Sequence, residues 1–128
     1  MSNTVVAGSP SRLAGRHVLI VEDEMMLALD LGDIVANFGC TSVRVARIDK
    51  AVLLAATQAF DVAILDLNLA GDSVYPVADE LHRRNIPYII ATGYSADGIA
   101  AAYRNGPILA KPYSTREIEE ALLRALRL

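Results

Sequence analysis

A single cysteine, Cys40, rules out an internal disulfide, and nothing in the cysteine usage points to an oxidising compartment. Without a second thiol to resolve it, Cys40 reads as a packing residue or a surface thiol, not a redox centre. Basic excess is also missing. Twelve Lys and Arg residues stand against 15 Asp and Glu, for a formal net charge of −3, and the cations are scattered, which argues against nucleic acid as the main partner. No run approaches the roughly 18 apolar residues that a membrane helix requires. Residues 1–15 carry Ser, Asn, Gly and Pro without the apolar core of a signal peptide, and read as a flexible N-terminal arm. The expectation is a soluble, cytoplasmic protein without a membrane partner. Within 128 residues there is no room for a second full domain, so residues 16–128 are read as one.

What the sequence does have is short apolar runs closed by acids. Val62 Ala63 Ile64 Leu65 ends in Asp66, and Val18 Leu19 Ile20 Val21 ends in Glu22 and Asp23. Such runs read as buried parallel strands with carboxylates at their C-terminal edge, where open α/β sheets place ligand sites. Strand-like segments fall at 17–22, 42–46, 61–66, 87–91 and 107–110.

Helical patterns lie between them. Leu27, Leu31, Ile34, Val35 and Phe38 make one apolar face, with Gly39 where the helix stops. A second helix starts after Asp49 and is expected to bury Val52, Leu53 and Ala56. Val74, Val77, Ala78 and Leu81 form the stripe of a third, and His82, Arg83 and Arg84 suit its negative pole. Ser114 with Glu117 is a capping box opening the last helix, with Ile118, Leu122 and Ala125 inward.

Strict alternation predicts a doubly wound α/β fold: a five-stranded parallel sheet of order 2-1-3-4-5 with helices on both faces. Its switch point lies between the first and third strands, so Glu22, Asp23 and Asp66 converge. Thr92 closes another strand at the same edge, and Lys111 a further one. Three carboxylates and one ammonium leave a formal charge of minus two, which is costly in a partly buried crevice without a cation. Oxygen-only donors with no His or Cys nearby favour Mg²⁺ over Zn²⁺. A carboxylate beside such an ion can act as a nucleophile toward phosphorus, with a lysine and a hydroxyl gripping the other oxygens.

The series Glu22 Asp23, Asp66, Thr92 and Lys111 Pro112, in this order and near these spacings, resembles the receiver domain of two-component response regulators over residues 16–128. The resemblance implies a flavodoxin-like receiver fold. It makes Asp66 the phosphoacceptor from a histidine kinase or histidine phosphotransfer protein. Asp23 and Asp66 then bind Mg²⁺ through carboxylates, Asn68 through its backbone carbonyl and Glu22 through water. Thr92 hydrogen-bonds the phosphoryl group, Lys111 pairs with it, and the Lys111–Pro112 bond is cis. The reading is a switch, not a metabolic enzyme, whose chemistry is its own phosphorylation and dephosphorylation.

The sequence ends with its last helix, which resembles the stand-alone, single-domain type. Output is then expected through contact with a downstream signalling protein or through phosphorelay, as a monomer or weak dimer; Leu123 and Leu126 lie off the inward stripe. Met25 and Met26, at the start of the first helix, suit a kinase-docking surface.

Departures from the common receiver pattern accompany the matches. Ala70 stands where a proline is frequent, which predicts a looser loop, and Ile108 replaces the usual switch aromatic. Thr92 and Lys111 are 19 residues apart, implying a short or irregular fourth helix. Ala91 Thr92 Gly93 Tyr94 resembles part of the FATGUY subgroup, with Ile90 in place of its Phe; Tyr94 is a candidate ring over the site. Two other readings remain open. One is a receiver-like interaction module without phosphorylation. The other is a small phosphatase of the haloacid dehalogenase type, although Asn68 sits where that chemistry needs a general acid.

Overall fold

A computed structural model describes residues 11–93 and 98–128. The strands are β1 (His17–Val21), β2 (Thr41–Val45), β3 (Val62–Asp66), β4 (Asn68–Leu69), β5 (Asp72–Ser73), β6 (Tyr88–Thr92) and β7 (Ile108–Ala110). The helices are α1 (Met25–Asn37), α2 (Ile48–Thr57), α3 (Tyr75–Arg83) and α4 (Thr115–Ala125). Five strands form one parallel sheet in the order β2-β1-β3-β6-β7, the 2-1-3-4-5 pattern counted over its own members.

Side-chain alternation divides the core between the two faces of the sheet. Val18, Ile20, Val62 and Ile64 pack with Leu31 and Val35 of α1 and with Ile118 and Leu122 of α4. Leu19, Val21, Ala63 and Leu65 pack with Ala51 and Ala55 of α2 and with Val77, Ala78 and Leu81 of α3. Each large aliphatic chain removed from water contributes roughly 1.5–3 kcal/mol, so both faces are held strongly. Burial on both sides is why these strands read as unbroken apolar runs.

Several local expectations shift. Leu13 is fully buried against the α1 and α4 layer, and its carbonyl accepts from the Cys40 thiol at 3.3 Å, so the packed domain begins before residue 16. Cys40 is thereby a packing residue, its thiol pushed up first by burial and then by the Asp61 charge. In α2 the stripe runs through Ile48, Ala51, Val52 and Ala55, and Leu53 is 60% exposed. The inward phase starts at Ile48, ahead of the Asp49 from which the sequence reading counted. Met25 and Met26 both lie open, at 74% and 75% exposure. Leu123 and Leu126 are partly buried at the core margin. The α3 stripe and the Ser114–Glu117 capping box match expectation.

Between β6 and β7 the described residues contain the 3-10 turn Ala101–Tyr103 and no α-helix, as the short Thr92–Lys111 spacing suggests. The segment after Asp66, expected as a looser loop, is a hairpin pairing Asn68 with Ser73 and Leu69 with Asp72. Ala70 and Gly71 form its turn at φ 52° and 91°, the left-handed pair that a tight hairpin favours. Before β7, a Cβ at Gly106 would lie 2.6 Å from the Tyr88 carbonyl oxygen, so only glycine fits there without movement.

Candidate functional site

The strand ends stand level. Register pairs Val21 with Leu65, Asp66 with Ala91, and Thr92 with Ala110. Main-chain bonds continue the ladder beyond them: Leu67 N–H donates to the Ala91 carbonyl at 3.0 Å, and Lys111 N–H to the Thr92 carbonyl at 2.8 Å. Glu22, Asp66, Thr92 and Lys111 therefore meet at one edge because their strands are adjacent and in register.

Carboxylate oxygens of Glu22, Asp23 and Asp66 all lie within 4.8 Å of one another, a group suited to a metal ion. Glu22 is only 3% exposed and Asp66 is buried, while Asp23 is open to solvent. The Lys111 ammonium lies 3.3 Å from Glu22 Oε1 and 3.3 Å from Asp66 Oδ1. Glu22 Oε2 accepts from the Glu24 N–H at 3.1 Å. Both oxygens of this nearly buried acid are thus engaged.

Burial raises the Glu22 pKa, and the Asp66 charge adds to it; the Glu24 N–H and Lys111 work in the opposite direction without cancelling the rise. For Lys111, burial disfavours the charge, but the Asp66 and Glu22 carboxylates outweigh it and the net shift is upward. The ammonium is therefore firmly charged, and one cation bridges two of the three acids. Hard carboxylate donors with residual negative charge fit an oxygen-seeking divalent ion.

A cleft of about 300 Å³ opens beside Asp66, with Asn68, Tyr75, Thr92, Gly93 and Gly98 among its walls. Asn68 is exposed, and its carboxamide oxygen accepts from the Gly71 N–H at 3.0 Å, which braces the hairpin turn. Thr92 is buried at the cleft. The Lys111–Pro112 bond is cis. Ile108, in the position of the usual aromatic, is half-buried in β7, and Tyr94 lies outside the described residues.

Two residues escaped the sequence reading. Tyr75 walls the cleft and stacks on Tyr103, with ring centroids 4.0 Å apart and planes 4° from parallel. The only signal for Tyr75 was its place ahead of Pro76 at the opening of α3. Tyr113 has a buried hydroxyl without a hydrogen-bond partner among the described residues. Burial first, then the Glu22 and Asp66 charges, push its phenol up to about 12.

A doubly wound sheet whose carboxyl edge carries an acid trio, a buried threonine and a bridging lysine defines the class of receiver-type signalling domains. The chain belongs to the response regulator receiver domain family, whose model matches residues 18–123. It is 32% identical over 115 residues to the KDP operon transcriptional regulatory protein KdpE of Escherichia coli, covering 87% of this chain and 51% of that protein. The chain therefore spans about half the length of this curated relative. Among solved structures, SdrG from Sphingomonas melonis Fr1 is similar at 36% identity and a TM-score of 0.78, covering 88% of this chain and 97% of that one. The receiver domain of a sensor histidine kinase from Pseudomonas aeruginosa, solved with a magnesium ion in its active-site cleft, shares the fold at 24% identity and a TM-score of 0.73, covering 90% of this chain and all of that one. None of the described helices is long and apolar enough to cross a membrane.

Proposed function

We propose that Asp66 accepts a phosphoryl group from the phosphohistidine of a histidine kinase or phosphotransfer protein. A carboxylate oxygen of Asp66 forms the new P–O bond as the donor's P–N bond breaks, and the electron pair returns to the imidazole nitrogen. The observation that carries this reading is Lys111 at 3.3 Å from Asp66, its ammonium placed to neutralise the oxygens of a group arriving there. Asp23 and Asp66 would hold Mg²⁺ through their carboxylates, with Asn68 contributing its main-chain carbonyl and Glu22 acting through water. When bound, the ion would supply charge neutralisation on the transferring group. Thr92, buried at the cleft, hydrogen-bonds a phosphoryl oxygen. The magnesium seen in the Pseudomonas aeruginosa receiver domain supports the choice of ion.

The domain is a switch rather than a metabolic enzyme: phosphorylation biases a two-state equilibrium, and hydrolysis of the acyl phosphate resets it. Its output is contact with a downstream protein or onward phosphotransfer, in the cytoplasm. Incubation with radiolabelled acetyl phosphate or a histidine kinase in the presence of Mg²⁺ should label the wild type and not Asp66→Asn. Equal labelling of the two proteins would refute the assignment.

A further inference from the structure

Tyr75 touches the cleft and the segment that follows it at the same time. Its ring walls the cavity beside Asp66 and Thr92. Its hydroxyl oxygen accepts from the Ala100 N–H at 2.8 Å, and its ring lies flat on Tyr103. The Tyr103 hydroxyl donates to Asp79 Oδ1 at 2.8 Å, one turn beyond Tyr75 on α3. Residues 100–103 are thus clasped to α3 at two points, with Ile99 buried beneath them. This clasp occupies the stretch where the alternation of strands and helices calls for a helix and the described residues supply the 3-10 turn Ala101–Tyr103.

We propose that Tyr75 is a phosphoryl-sensing residue, donating its O–H to a phosphoryl oxygen on Asp66 while accepting from Ala100, and so tying residues 100–103 to the state of the cleft. This rests on the phosphoacceptor reading above. A phenol can donate one hydrogen bond and still accept another, and the Ala100 contact uses only its acceptor side. A phosphoryl group on Asp66 brings additional negative charge and strong acceptors into a cleft of about 300 Å³ that Tyr75 already borders. Donation to an anion polarises the phenol and strengthens the bond it accepts, so the Ala100 contact tightens when Asp66 is modified. The half-buried Ile108 carries no hydroxyl and cannot provide such a link. The tyrosine pair supplies an outward route in its place.

The test is amide hydrogen exchange by NMR, with and without Mg²⁺ and acetyl phosphate, alongside phosphoryl labelling of the same samples. Ala100 exchange in the wild type should slow by roughly three- to tenfold on phosphorylation, the range a strengthened hydrogen bond gives. Tyr75→Phe keeps the ring and the stack but should lose this response in whatever fraction of the protein is labelled on Asp66, read on the same sample. Tyr103→Phe, which removes only the bond to Asp79, should retain it. A labelled wild type with unchanged Ala100 exchange overturns the proposal alone, and so does equal loss of response in both variants, which would place the effect in general packing. Failure of the wild type to label overturns the phosphoacceptor reading and this one with it.

Discussion

The Lys111 ammonium stands 3.3 Å from an Asp66 carboxylate oxygen, while its own main-chain N–H donates to the Thr92 carbonyl at 2.8 Å. One residue therefore joins the charge balance of the acid cluster to the backbone of the strand between them. Its side chain and its main chain serve different neighbours.

Replacing Lys111 with Met leaves Glu22 and Asp66 facing each other without their cation. Lys111→Met should destabilise the metal-free protein by about 1–2 kcal/mol at neutral pH, less than a fully buried pair because the lysine is partly exposed. The loss should narrow under mildly acidic conditions. Glu22 already has a raised pKa, and protonating it as pH falls removes the repulsion. Urea unfolding at the two pH values checks this, and an equal loss at both would contradict it. The variant should still accept phosphoryl but bind its downstream partner poorly afterwards.

Asp23 contributes to the acid cluster from the solvent side. Asp23→Asn should weaken Mg²⁺ binding by about ten- to a hundredfold, with the fold intact because no buried contact is lost. Calorimetric titration with Mg²⁺ reads the change directly. Unchanged affinity would remove Asp23 from the site.

The unpartnered Tyr113 hydroxyl gives an alkaline signature. Its folded pKa is pushed up to about 12 from an ordinary value of 10.0, so the unfolded chain releases the phenol proton first. Its stabilising contribution is complete below pH ~10 and is lost as pH rises toward the folded value. Tyr113→Phe should flatten this part of the stability curve and leave stability at neutral pH unchanged or slightly higher, since it deletes a buried group with no bond to lose. Denaturant titrations across the alkaline range, compared with the wild type, test both parts.

Ala70 adopts φ 52° in the hairpin turn, a conformation that costs a residue with a Cβ about 1–2 kcal/mol. Asparagine tolerates it better and is favoured in such turns. Ala70→Asn should therefore raise stability by roughly 0.5–1 kcal/mol with Asp66 labelling retained. A drop in the urea midpoint would show that the turn is not the source of strain.

The sheet and its acid edge were legible because parallel strands buried on both faces leave unbroken apolar runs, and each run here stops at a polar group. Glu22, Asp66, Thr92 and Lys111 could be placed together from order alone, since adjacency in such a sheet follows from its winding. The α2 phase was less legible: alanines at 51 and 55 carry little hydropathic signal beside the larger but exposed Leu53. The β4–β5 hairpin is four paired residues around a left-handed turn, and alanine at its first turn position does not announce that conformation. The Tyr75–Tyr103 stack joins residues 28 positions apart, and no local pattern encodes it.

Gly106 faces the Tyr88 carbonyl at the far end of the sheet from the acid cluster, where a single added carbon would come within 2.6 Å of that oxygen. β7 is only three residues long, so a displacement at its entrance has little strand over which to decay before it reaches Lys111. The reach of the ammonium toward Asp66 is therefore calibrated by the absence of a side chain at the opposite pole of the domain. Substitution at 106 would shift the Lys111 ammonium against Asp66 without altering any group of the acid cluster.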